Sequence, residues 1–306
     1  MQEHLLESGA RIRGSGAAVD PLPEHGLRRT VAWAVAGDSA PVPIGIQGSV
    51  AVQDTASAAD PWPEWARAQL LAAVDVAGSV PEGIGAARVL YDEWFNPPID
   101  AVEARRSRRP LAGLYRAAHA GSTSRRDSGD FTVLDRHDVV GVNGWWRTWG
   151  ESWTPPRTRP GSIRVMLSPA VDRLPDFVQV VTTALLGSTT SWSLGCATDP
   201  RRVTRCGAAV LDLPGLDALP DGLLDDIAPL LRPTAPPLGL PLAPGVAVAG
   251  YPDNGMTFGE HRCHLIALAL RQASGGDDPL GAIAGVFAAH GIDPARPHES
   301  RPRSAA

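Results

Sequence analysis

The residues best suited to chemistry gather in Gly245–Arg271, GVAVAGYPDNGMTFGEHRCHLIALALR. Thr257 and Glu260 stand three apart, the spacing of a capping box that satisfies two orphan backbone donors at a helix start. Behind them Leu265, Ile266, Leu268, Ala269 and Leu270 make a face suited to a core. Arg262 falls in the first turns, where the macrodipole disfavours a cation, yet on the inward 262-265-266-269 face. A guanidinium beside free helix N–H groups suits a bound anion. The competing reading pairs Arg262 with Glu260 or with an Asp on a neighbouring element. His261 and His264 flank Cys263, so at most two of the three share a face, and no second cluster completes a zinc site. No metal or cofactor is expected. All 28 basic residues are arginine, which removes a lysine base, a Schiff-base lysine and the P-loop lysine. There is no G-x-S-x-G elbow, and Gly275-Gly276-Asp277-Asp278 lacks calcium-loop spacing. Local motifs therefore name no enzyme class.

Those residues need a scaffold, and 306 residues suffice for two domains or one elaborated domain. A net charge of −5 gives no reason to expect nucleic acid, and the run Arg105-Arg106-Ser107-Arg108-Arg109 reads as a solvated helix end. No apolar run reaches membrane-spanning length, and Met1-Gln2-Glu3-His4 does not begin a signal peptide. Cys196, Cys206 and Cys263 are odd in number and lack C-x-x-C spacing, which favours a reduced, cytoplasmic protein.

Residues 1–27 read as a flexible, polar N-terminus. From 28 to 154 strands are expected at Thr30–Val35 and Ser49–Gln53, then helices from Pro61 through Val76, over Pro81–Phe95 and over Ile99–Ala120. Short strands follow at 131–134, 138–142 and 145–149. Trp145, Trp146, Trp149 and Trp153 are read as the core of a small sheet in preference to a peptide- or sugar-binding surface. The Pro-rich 154–160 is the expected boundary. Over 161–292 strands are expected at 162–167, 190–197 and 206–213, with helices at 171–186, 216–231, from Thr257 and at 280–290; 293–306 reads as a polar tail. The order predicts an α+β fold, a mainly antiparallel sheet with helices packed on it.

The order SIRVMLSP, TTSWSLGCATDP, RRVTRCGAAVLDLP, LRPTAPPLGLPLAPGVAVA and MTFGEHRCHLIALAL resembles the HopA-type family of bacterial type III effector domains, in particular its actinobacterial relatives. VLYDEWFNP at 89–97 looks like that family's N-terminal helix, and the likeness spans 85–275. The resemblance implies a fold related to phosphothreonine lyases. It also implies a setting in class V lanthipeptide and thioamitide pathways, where a peptide Ser/Thr is phosphorylated, phosphate is eliminated and a cysteine thiol adds. By the same resemblance Arg262, Arg205 and, with less support, Arg202 are anion-contacting. The lyase lysine would fall at Gly195, its acidic residue at Gly207, its tyrosine at Asp212 and its histidine at Met166. An anion-binding skeleton without the proton-transfer groups is the expectation; alternatively Arg205 and Arg262 pair with Asp212 and Glu260.

The reading that follows is a thioether cyclase, or cyclase-like partner, acting on dehydrated precursor peptide in complex with a kinase-like protein and a lyase. Arg262 and Arg205 would stabilise an enolate, while His261, His264 or Tyr251 moves the proton. A phosphothreonine lyase with a non-lysine base and a non-catalytic peptide-binding scaffold are the alternatives.

Overall fold

The computed structural model describes residues 61–80, 85–98, 111–121, 138–141, 144–150, 152–153, 162–252, 255–273 and 278–300. The chain divides into Met1–Ala56 and Ser57–Ala306, and all described residues lie in the second unit. The strands expected at Thr30–Val35, Ser49–Gln53 and 131–134 and the 154–160 boundary lie outside them.

Strands β1 (Asp138–Gly141), β2 (Trp145–Trp149), β3 (Ile163–Leu167), β4 (Ser193–Ala197), β5 (Ala209–Leu213), β6 (Leu240–Ala243) and β7 (Val246–Gly250) form one sheet. Its order is β1-β2-β4-β5-β3-β7-β6, and every pairing is antiparallel. The fold is α+β. Because β2 pairs with β4, the sheet is continuous across the proline-rich stretch, and the Trp cluster belongs to it: Trp146 is fully buried, Trp145 and Trp149 half-buried.

Alternation along the strands separates two cores. One face carries Val165, Leu167, Leu194, Leu211 and Val248. It packs against α3 (Leu111–Ala118) and α4 (Leu174–Leu186) through Tyr115, Phe177, Val181 and Leu185. The Tyr115 hydroxyl donates to the Ala197 carbonyl at 2.7 Å, tying α3 to β4. The opposite face carries Met166, Ala247 and Ala249. Over it lie α1 (Glu64–Gly78), α2 (Ala86–Val89) with its π-helical continuation Leu90–Phe95, α7 (Phe258–Gln272) and α8 (Pro279–Ala289).

Two expected helices differ, and part of a third lies outside the described residues. Pro81–Phe95 ends in a π turn, closed by Asn96 N–H donating to Tyr91 O at 2.9 Å. The helix of 99–120 is described only over Leu111–Ala118. The 216–231 helix breaks into 216–218, α6 (Leu223–Ile227) and 228–230, because Pro220, Gly222 at φ +76° and Pro229 interrupt it. Pro241 hides β6 in the sequence; an edge strand with a register shift between Pro241 and Ala243 accommodates it.

α7 begins as the sequence dictates. Thr257 N–H donates to Glu260 Oε2 at 2.9 Å and Glu260 N–H to Thr257 Oγ1 at 3.3 Å. Its first turn sits directly on the π segment: a Cβ at Gly259 would lie 2.2 Å from Phe95 Cε1. Phe95 is buried, so Gly259→Ala should cost about 1–3 kcal/mol by overpacking, read as a lowered denaturant midpoint. A loss under about 0.5 kcal/mol, the scale of an inert surface change, means that this contact yields freely.

Candidate functional site

Arg262 lies on the inward face of α7 with no exposed surface. Its Nε donates to Pro297 O at 2.9 Å and its Nη2 to Glu299 O at 2.7 Å and Ser300 Oγ at 3.4 Å. The guanidinium carbon stands 4.6 Å from the Phe258 ring centroid and 5.7 Å from that of Phe287. Burial alone lowers its pKa to about 9. Here the sequence expectations part from the geometry. Arg262 is turned to the carbonyls of Pro297 and Glu299, the Ser300 hydroxyl and His261, and Glu260 is occupied with the cap. Within the segment expected as a polar tail from 293, residues 297–300 are held against α7.

His261 shares that cluster, its Nδ1 lying 2.9 Å from Arg262 Nη1, an atom that can only donate. Burial first, then Arg262, His290 and His264, bring the His261 pKa down to about 4. His264 is exposed on the outer side of α7, and its pKa is also lowered, by burial and then Arg271 and His290. The folded protein thus binds fewer protons than the unfolded chain below the ordinary histidine value of 6.5. Stability is complete above that value and is lost as pH falls toward about 4. A urea midpoint that declines over this window, with a shallower decline in His261→Asn, is the expected result; identical profiles remove His261 from the account.

Arg205 is elsewhere, at the turn after α5 (Pro200–Val203). Its Nη1 donates to the carbonyls of Asp92 at 2.7 Å and Asn96 at 2.6 Å, with the Asp92 carboxylate at 3.8 Å. It braces the end of the π segment. Arg202 is exposed nearby; its charge opposes the rise of the Tyr91 pKa to about 12, which burial and then Glu260 produce. The three sequence-selected arginines therefore do not converge.

A different set does. Arg164 on β3 faces Asp212 on β5 across the register of the two strands. Its Nε donates to Asp212 Oδ1 at 2.8 Å and its Nη2 to Oδ2 at 3.3 Å, a bidentate fork. Tyr251, just past β7, donates its hydroxyl to Asp212 Oδ1 and accepts from Arg164 Nη2, with the guanidinium 4.5 Å from its ring centroid. Arg147 on β2 adds a second cation 3.7 Å from Asp212 Oδ2. Asp212 is 1% exposed and the Arg147 side chain 38%, so the cluster runs from a buried carboxylate to a partly solvated guanidinium. Burial, then Asp212, push the Tyr251 hydroxyl well above its ordinary pKa, so it stays protonated. For Arg164 burial acts downward, but Asp212 and Tyr251 outweigh it and hold the cation charged.

Of this set the sequence singled out Tyr251, and Asp212 both as the place of the lyase tyrosine and as an ion-pair partner, but for Arg205 or Arg262 and not for Arg164. Arg164 and Arg147 carried no local signal, since both lie on strands and meet Asp212 only through sheet pairing. Gly195, Met166 and Asp212 share the sheet face of Arg164: Gly195 pairs with both Arg147 and Val210, and Met166 with Val210. A Cβ at Gly195 would meet Val210 Cγ2 at 3.1 Å and Arg147 Cγ at 3.7 Å, so the Arg147 stem lies beside the bare glycine. Among the described residues no group of three or more His, Cys, Asp or Glu could hold a metal ion, and no helix is long and apolar enough to cross a membrane.

Residues 150–299 match the HopA1 effector protein family. That match spans just under half of the chain, and over it the sequence is similar to HopA-type domains. Its structure is similar to that of the effector protein from Pseudomonas syringae pv. tomato strain DC3000, with TM-score 0.52 and 13% identity over 78% of this chain and 98% of that one. The effector protein from Pseudomonas syringae pv. syringae strain 61 gives TM-score 0.49 and 14% identity over the same shares. At 13% identity the likeness to the first is one of fold alone. No curated protein matches the sequence. The HopA-type match covers β3 to β7, α7 and the docked 297–299, so it contains Arg164, Asp212, Tyr251 and Arg262 but not Arg147.

Proposed function

We propose that this HopA-type chain is the precursor-peptide-modifying subunit of a class V-like lanthipeptide synthetase. It closes thioether rings on peptide already dehydrated by a kinase-like protein and a lyase. The observation that carries the reading is the Arg147–Asp212–Arg164–Tyr251 cluster. Two guanidiniums and a tyrosine kept protonated stand on the face where the resemblance places the lyase groups, in a chain without lysine.

The chemistry fits a donor set. Cysteine thiolate adds to the β-carbon of a dehydro-residue, and the π electrons move toward the carbonyl oxygen as an enolate. Guanidiniums stabilise that oxygen; one such fixed donor commonly contributes about 2.7–4 kcal/mol. Tyr251 then protonates the α-carbon, and its hydroxyl is restored by the proton that left the thiol. Elimination needs the opposite, a strong acceptor for an α-C–H, and a tyrosine held above its ordinary pKa is a donor. Phosphate elimination and a purely scaffolding role remain as outcomes of the test.

That test uses a precursor carrying dehydroamino acids and free cysteine, with thiol alkylation to count rings and resolution of ring diastereomers. Faster closure to one diastereomer, slowed roughly 100-fold or more in Tyr251→Phe, is expected for loss of a proton donor. Equal rates and mixed diastereomers with and without protein leave only the scaffold. Release of phosphate from a phosphothreonine peptide by the protein alone makes it a lyase.

A further inference from the structure

Tyr251 belongs to two places at once. Besides contacting Arg164 and Asp212, it lines a cleft of about 240 Å³ at the ends of β3 and β7. The apolar side of the cleft is Ile163, Leu216, Leu240 and Val248; its polar rim is Tyr251 and the segment 298–300. Leu216 is 43% exposed, a large apolar side chain left open at the mouth.

The rim is built. Gly250 N–H donates to His298 O at 2.9 Å, and Ser300 Oγ donates to Gly250 O at 3.4 Å. A Cβ at Gly250 would stand 2.9 Å from Ser300 N, so the segment lies against bare backbone and any side chain there would displace it. Arg262 holds the other edge through Pro297 O and Glu299 O. Residues 297–300 are thus a strap fastened on both sides, and Arg262 acts on the cleft only through it.

We propose that this cleft is a specificity pocket for one apolar side chain of the precursor peptide, with the Arg262-held strap as its wall. The inference rests on the peptide-substrate reading above. The cleft has room for roughly eight waters at about 30 Å³ each, space for a side chain of leucine or phenylalanine size. It is smaller than the roughly 300–1,000 Å³ of pockets that take whole small molecules or cofactors. Apolar depth with a polar rim matches a side chain entering while its backbone stays at the mouth. Glu299 on the rim disfavours an acidic side chain. Arg164 and Asp212 lie on the opposite face of the sheet from Ile163 and Val248, and Tyr251 at the strand end is the residue the cleft and the cluster share, so a side chain seated there sets its peptide neighbour beside Tyr251.

The test uses full-length, methyl-labelled protein and two synthetic dehydrobutyrine peptides that differ only in leucine or glycine beside the dehydro-residue. The leucine peptide should shift the methyls of Ile163, Leu216, Leu240 and Val248 saturably and bind about tenfold or more tightly than the glycine peptide, the scale expected for burying one leucine. Leu216→Asp, at an exposed position, should abolish that preference. Gly250→Ala should weaken the leucine peptide selectively by moving the strap, and if it fails to fold, Leu216→Asp decides alone. Equal affinity for both peptides, or no methyl shifts with the leucine peptide, overturns the pocket. Saturable, leucine-dependent shifts in a protein that closes no rings keep the pocket and reject the cyclase reading, so the two fail separately.

Discussion

Asp212→Ala should cost about 3–5 kcal/mol of stability, because it leaves Arg164 charged and without its carboxylate inside the sheet face. The side chains of the pair are 1% and 13% exposed, and the carboxylate also accepts from Tyr251 and faces Arg147, so one truncation strips three groups of their common partner. The physical test of that account is a double substitution. Replacing both members with apolar residues of similar volume, Arg164→Met with Asp212→Leu, removes the charge that made the single change expensive. The double variant should recover most of the lost stability in a denaturant titration. A single-variant loss below about 1 kcal/mol identifies a solvated pair of little energetic weight. Stability without recovery in the double variant shows that the cost lies in shape and not in charge.

Local rules carried the sequence reading where structure is local. The Thr257–Glu260 box and the 262-265-266-269 face place α7 and bury Arg262 as expected, since both depend on residues within two turns. The antiparallel α+β plan was legible from alternating strands and from the HopA resemblance. Partners were not legible. Arg164 meets Asp212 across 48 residues and Tyr251 across 87, and neither separation has a spacing rule. Polar, proline-bearing 293–300 has the composition of a tail; its order comes from Arg262, 35 to 38 residues away, and from the bare backbone of Gly250. Long-range pairing also explains why Arg205, expected to meet an anion, spends its donors on the carbonyls of Asp92 and Asn96. A carbonyl at the end of a π turn is as good an acceptor as a ligand, and nothing in local sequence distinguishes them.

Arg262→Ala should lower stability sharply, the reverse of what an anion-binding arginine would do. The side chain has no exposed surface, and its donors reach Pro297 O and Glu299 O at 2.9 and 2.7 Å. Hydrogen bonds from a charged group contribute about 1.5–3 kcal/mol each, so losing both costs about 3–6 kcal/mol. The contacts with Phe258 and Phe287 go with them. Arg262→Lys should rescue little, because an ammonium cannot reproduce the planar fork that reaches two carbonyls at once. The local signature is hydrogen exchange at Gly250 N–H, which donates to His298 O and is protected only while the strap is seated. A fall in melting temperature together with faster exchange at that amide is the expected pair of results. If the melting temperature stays within about 2 °C of the parent, less than 1 kcal/mol in a protein of this size, while peptide affinity collapses, the buried pin is wrong and Arg262 is a ligand-binding cation after all.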